Sequence, residues 1–109
     1  MTARAEVRLE AHAAKQFDRA PKDVAADLRR KAKRLADDPQ AGTYVAFHPR
    51  FKRSLAKWMA RVGTVDNLWK LDLARGWRAL YTVGSDGPLR VVLVVEVVDH
   101  QEYDRLLAY

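Results

Sequence analysis

Lys70, Arg78, His100 and Tyr103 lie in the carboxy-terminal third of the chain, and together they are the side-chain types that metal-free RNA cleavage requires. That reaction uses the ribose 2′-hydroxyl as nucleophile. It needs an acceptor for the hydroxyl proton, cations for the charge developing at phosphorus, and an acid for the departing 5′-oxygen. Arg78 offers a planar fork to phosphate oxygens, and Lys70 a point charge. Imidazole titrates near neutrality, so His100, alone among the histidines in ending a core strand, can serve as acid or base. Tyr103, three residues on, shares roughly the same helix face and can stack on a base or donate a hydrogen bond. Asp72 and Glu96 are both candidate bases, and residue type does not choose between them. Each residue also has a purely structural reading. Arg78 and Lys70 can pair with Glu96 or Asp72 across a sheet, Asp99 can cap a helix that His100 opens, and Tyr103 can anchor that helix in the core beside Leu106. His12 and His48 read as surface or structural residues. With no cysteine and no histidine pair at ligand spacing, neither a metal nor a cofactor is expected.

The elements that must position these groups follow from periodicity. Residues 6–10 alternate, with Val7 and Leu9 on one side, and read as a first strand. Ala13, Ala14 and Phe17 mark a brief helix. Ala20 and Pro21 interrupt it, and Pro21 opens a second helix in which Val24, Leu28, Ala32 and Leu35 recur every three or four residues. Asp23 and Asp27 fall early in that helix and Lys31, Lys33 and Arg34 late, as its dipole prefers, and Asp38-Pro39 ends it. In residues 40–64 the pattern weakens, with a short strand over 44–47 and a helical turn or two over 54–61 as options. Strands are expected over 65–73, 77–83 and 89–99, joined by an Ala-Arg-Gly turn and a loop over 84–88, before a terminal helix over His100–Leu107. Short turns make these strands antiparallel hairpins, and the last, apolar on both faces, is expected to be central.

Strand parity sorts the side chains. Trp69, Leu71 and Leu73, then Trp77, Ala79, Tyr81 and Val83, then Leu89, Val91, Leu93, Val95 and Val97 are expected on the helix-covered face. The other face collects Lys70, Asp72, Arg78, Thr82, Arg90 and Glu96 among Leu68, Leu80, Val92 and Val94, with Lys70 opposite Glu96 as an expected ion pair.

The length of 109 residues suits one domain spanning 1–109. The start of the chain lacks a signal-peptide core and no apolar run spans a bilayer, so a cytoplasmic protein with no membrane partner is expected. Ten cationic side chains against two carboxylates give residues 29–61 a net +8, more than the +6 of the whole chain. Such a field suits a polyanion or an acidic protein, or a simply solvated helix face and loop. Arg50, Lys52, Arg53, Lys57 and Arg61 are the nucleic-acid-binding candidates within it.

The segments LWKLDL (68–73), GWRALY (76–81) and VVDHQEY (97–103), with a helix pair ending in LADDP (35–39), resemble the RelE/ParE superfamily of type II toxins. The resemblance covers most of the chain. The stretch 40–64 is longer than in compact members and resembles a subset in which a basic loop leads to DNLW (66–69). The resemblance implies a small α+β fold of order β-α-α-β-β-β-α, with an antiparallel sheet packed by the amino-terminal helix pair. It implies a toxin inhibited by a cognate antitoxin, with a heterotetramer as one assembly open to the pair. In the ribonuclease branch, the toxin cuts messenger RNA in the ribosomal decoding site. The strand arginine of that branch, which stabilises phosphate, maps to Arg78, and the residues contributing to chemistry or stacking map to His100 and Tyr103. The sequence departs from the strongest ribonucleases of the family in carrying Asp99, Glu102 and Asp104 where those are rich in lysine and arginine. Two alternatives therefore stand beside the ribosome-dependent endoribonuclease: a gyrase poison of the ParE type, which needs no acid or base, and a non-catalytic module that only binds an antitoxin. In each, Leu68, Leu80, Val92 and Val94 with the basic helix face 29–34 form a dock for an acidic antitoxin segment, unless residues 40–64 cover them.

Overall fold

The computed structural model describes residues 4–45, 55–62 and 67–107. The chain runs β1 (Glu6–Leu9), α1 (Ala11–Arg19), α2 (Lys22–Asp37), β2 (Thr43–Val45), α3 (Ala56–Val62), β3 (Leu68–Asp72), a 3-10 turn (Ala74–Gly76), β4 (Arg78–Asp86), β5 (Leu89–Val98) and α4 (His100–Leu107). This is a mixed α+β fold around a five-stranded sheet of order β1-β5-β4-β3-β2. Relative to the expected order, β2 and α3 are additional and both come from the weakly patterned stretch 40–64. The sheet is also not wholly antiparallel, because β1 runs parallel to β5, pairing Glu6 with Val91 and Leu9 with Val94. No hairpin joins those two strands, so tertiary packing alone sets the direction of β1.

α1 is capped by Glu10, whose carboxylate accepts the His12 amide at 2.9 Å. Ala20 and Pro21 then hold extended backbone and admit α2, which buries Val24, Leu28 and Leu35. β4 and β5 pair as far as Asp86 and Leu89, which shortens the expected loop 84–88 to Gly87 and Pro88. Gly87 takes a φ of +61° there, a conformation that a two-residue hairpin loop requires and that glycine adopts without a Cβ penalty.

The core has two sides. Ala13, Val24, Leu28 and Leu35 from α1 and α2 pack on Ala79, Tyr81, Val92, Val94 and Val97. On the opposite face, Leu55 and Trp58 pack with Leu68, Leu80, Val91, Leu93 and Val95. The expected parity holds for β3 and β4 and for Val97, but it is inverted for Val91 to Val95. The cause is a register shift between Leu80 and Tyr81, which face Glu96 and Val94 and leave Val95 as an extra residue. Such a bulge flips every side chain beyond it. Of the two readings of the apolar dock, the covered one holds for Leu68 and Leu80, and Val92 and Val94 lie on the other face. Leu68, Leu80, Val92 and Val94 are all fully buried. The chain's own Leu55 and Trp58 cover the first pair and the amino-terminal helices the second, and each such buried side chain contributes about 1.5–3 kcal/mol. Among the described residues no helix is long and apolar enough to cross a membrane.

Candidate active site

Register places the site. Arg78 opens β4 directly opposite Asp72 at the end of β3 and Val98 at the end of β5, and α4 starts two residues after Val98. One end of the sheet therefore gathers the close of two strands, the start of a third and the first turn of a helix. The β3–β4 reversal is tight, with Arg75 and Gly76 at φ of 59° and 75°. Side chains do not favour that region, and the turn is held by three residues at i, i+4 and i+8 of α2. Asp23 Oδ2 lies 2.7 Å from Arg75 Nε, Asp27 Oδ2 accepts the Ala74 amide at 2.9 Å, and Lys31 Nζ donates to the Asp72 carbonyl at 2.6 Å. Asp27 is only 8% exposed. Burial alone would raise its pKa, but hydrogen bonds from Lys31 and Arg30 outweigh that and hold the carboxyl below its ordinary value.

Arg78 is the hub. Its Nε donates to Asp72 Oδ1 at 3.2 Å, its Nη1 lies 3.0 Å from His100 Nδ1, and its guanidinium carbon sits 4.5 Å from the centroid of the Tyr103 ring. Lys70 Nζ approaches Asp72 Oδ1 at 3.6 Å. His100 reaches Asp104 Oδ2 through Nε2 at 3.3 Å. Asp99 caps α4 by accepting the Glu102 amide at 2.8 Å, so its capping role and the placement of His100 are one arrangement. Arg78, at 21% side-chain exposure, is far less open than Asp72 at 68% or His100 at 60%. The result is a cation seated on an aromatic face, with one edge toward a carboxylate and one toward an imidazole.

Lys70, Arg78, His100 and Tyr103 are thus brought together, along with Asp72. Glu96 is not part of the cluster, and the expected Lys70–Glu96 pair does not form. Glu96 Oε2 instead accepts from Gln16 Nε2 at 2.6 Å and lies 3.5 Å from His12 Nε2. Burial pushes this carboxyl up, the Gln16 hydrogen bond and His12 oppose that, and Glu102 and Glu10 reinforce it. Gln16 also accepts the Val97 amide at 2.8 Å, replacing a strand partner where β1 has ended.

Of the nucleic-acid-binding candidates, Arg50, Lys52 and Arg53 lie outside the described residues. Lys57 and Arg61 are carried on α3, whose Trp58 packs on the face that Tyr103 also joins. On the α2 side, a groove of about 220 Å³ between α2 and β3 is flanked by Lys31, Arg34, Lys70 and Asp72.

Two residues of this neighbourhood escaped the reading by residue type. Asp104 counted only as unfavourable charge, although its i+4 spacing from His100 predicts their contact. Asp27 counted as a dipole charge, although it falls between Val24 and Leu28 on the buried side of α2.

No protein-family model matches the sequence, and no curated protein matches it either. A solved structure does resemble it: a chain of the archaeal RelE–RelB complex from Pyrococcus horikoshii OT3 aligns over 88% of this chain and 94% of that one, at a TM-score of 0.56 and 12% identity. At that identity the likeness speaks for architecture, and it meets the resemblance read from residues 68–103 there: the chain has a RelE-like fold.

Proposed function

We propose that this protein is the toxin of a type II toxin–antitoxin pair and acts as a metal-free endoribonuclease on messenger RNA held in the ribosome. The observation that carries this reading is the seating of Arg78 on Tyr103 at 4.5 Å, with His100 at 3.0 Å. A scissile phosphate entering the cluster would meet a bidentate cation, a second cation in Lys70, an aromatic surface for an unstacked base and a titratable ring. The structurally similar RelE was solved with RelB, and a cognate antitoxin is the corresponding partner proposed here. Arg50, Lys52, Arg53, Lys57 and Arg61 would supply the wider positive field that draws in RNA.

One feature favours the binding-only reading. Arg78 and Lys70 both face Asp72, and His100 faces Asp104, so the cluster is internally neutralised before any ligand arrives. Induction in cells separates the two. Under the ribonuclease reading, wild type arrests growth while soluble, folded Arg78→Ala and His100→Ala proteins do not. Arrest by both variants at the wild-type level would refute it.

A further inference from the structure

The two ring nitrogens of His100 face different partners: Nδ1 lies 3.0 Å from Arg78 Nη1, and Nε2 lies 3.3 Å from Asp104 Oδ2 one helical turn ahead. A guanidinium only donates, so Nδ1 must be bare, and in the neutral ring the hydrogen is on Nε2, the nitrogen that lies 3.3 Å from the carboxylate. We propose that Asp104 is the positioning residue of a proton-transfer dyad, holding Nε2–H so that His100 Nδ1 accepts the 2′-hydroxyl proton once Arg78 has turned from it to the scissile phosphate. This rests on the ribonuclease reading and adds to it the accepting atom, the supporting carboxylate and the order of events.

Arg78 sets that order. A proton on Nδ1 would place N–H against N–H of a cation, so His100 takes no proton while Arg78 stays bonded to it. Phosphate oxygens match the guanidinium fork and draw it away, because charge-assisted bidentate bonds outcompete one bond to a neutral nitrogen. Asp72 holds Nε of the same guanidinium during that exchange. Among the described residues the ring contacts Arg78 of β4 and Asp104 of α4, and Arg78 in turn contacts Asp72 of β3 and the Tyr103 ring of α4; the turn contributes Gly76, where an added Cβ would lie 3.8 Å from His100 Cβ. The 2′-hydroxyl proton passes to Nδ1, O2′ bonds to phosphorus, and the P–O5′ bond breaks with its electron pair on O5′, which takes a proton from water; the hydroxide left behind then recovers the proton from Nδ1 and restores the neutral ring. A 2′,3′-cyclic phosphate and a 5′-hydroxyl result, and the new imidazolium is stabilised by Asp104 as in other carboxylate–histidine dyads.

The test has two arms on the full chain. Nitrogen-15 spectra of the neutral imidazole should show His100 protonated at Nε2 with a hydrogen-bonded, bare Nδ1; Arg78→Ala should remove that hydrogen bond, and Asp104→Asn should lower the Nε2–H fraction. A His100 ring protonated at Nδ1 would overturn the assignment. In single-turnover cleavage on programmed ribosomes, Asp104→Asn should slow the chemical step about 10-fold, less than the roughly 10²–10⁴-fold cost of losing the base. Ribosome affinity should be unchanged, and Asp104→Glu should recover most of the rate. An active wild type with an equally active Asp104→Asn would sink this inference alone, whereas an inert wild type would remove the ribonuclease reading and the proton-acceptor role with it.

Discussion

Asp27 Oδ2 accepts the amide of Ala74 at 2.9 Å, and through that contact α2 grips the turn that places Asp72 on one side and Arg78 on the other. The site is assembled at a sheet end, yet a buried carboxylate on a helix of the opposite layer fixes its geometry. Asp27→Ala should cost about 1–3 kcal/mol, since it frees a backbone amide and two charged donors. Because the folded-state pKa of Asp27 is depressed, its contribution is complete above the ordinary carboxylate value of about 3.9 and is lost as pH falls through the folded value. Chemical denaturation should therefore show wild type losing more stability than Asp27→Asn below about pH 4.

Tyr81 joins the segment after α2 to the sheet. Its hydroxyl donates to the Pro39 carbonyl at 2.9 Å and accepts the Gly42 amide at 3.0 Å inside a fully buried environment. Tyr81→Phe should destabilise by about 1–3 kcal/mol by stranding both groups. Burial raises the Tyr81 pKa, so its contribution is present below about pH 10 and disappears as pH rises through the folded value. Alkaline titration followed by circular dichroism should show this loss in wild type and not in Tyr81→Phe.

Glu96 has the raised folded-state pKa of a buried acid, so the stability it contributes is present below about pH 4.3 and is lost as pH rises. Glu96→Gln keeps an oxygen for Gln16 and removes the buried charge. Melting curves should place this variant above wild type at neutral pH, with the gap closing in acid. A variant less stable than wild type at neutral pH would show that the Gln16 bond requires the carboxylate.

Trp58 roofs the second side of the core at 8% exposure, and among the described residues its indole N–H has no hydrogen-bond partner. Trp58→Ala should cost about 3–5 kcal/mol, because it opens a cavity over Leu68, Leu80 and Val91. Trp58→Phe should lose clearly less, since no hydrogen bond is sacrificed. Equal losses would mean that the ring's outer atoms, rather than its hydrophobic body, hold α3 in place.

The elements easiest to read from sequence were those whose signals are local. Val24, Leu28 and Leu35 repeat at helical spacing, and all three are buried on α2. The Asp72–Arg78 pair follows from parity across a short turn, and Tyr103 reaches Arg78 because α4 follows β5 at once. What sequence could not show depends on long-range geometry. The bulge at Val95 inverts parity without a glycine or proline to mark it. The parallel pairing of β1 with β5 joins residues more than eighty positions apart, as Glu6 and Val91 are. The same distance hides Gln16 as the partner that takes Glu96 away from Lys70. Residues 40–64 carry too little periodicity to choose between an open dock and a covered face, and Leu55 and Trp58 are what close it.

Arg78 is proposed to work on RNA within a ribosomal site. Primer extension on a defined messenger RNA, incubated with wild-type or Arg78→Ala protein with and without translating ribosomes, tests it most directly. Cuts are expected with wild type only, and only when ribosomes translate. No cut under either condition, or the same cuts from Arg78→Ala, would contradict it.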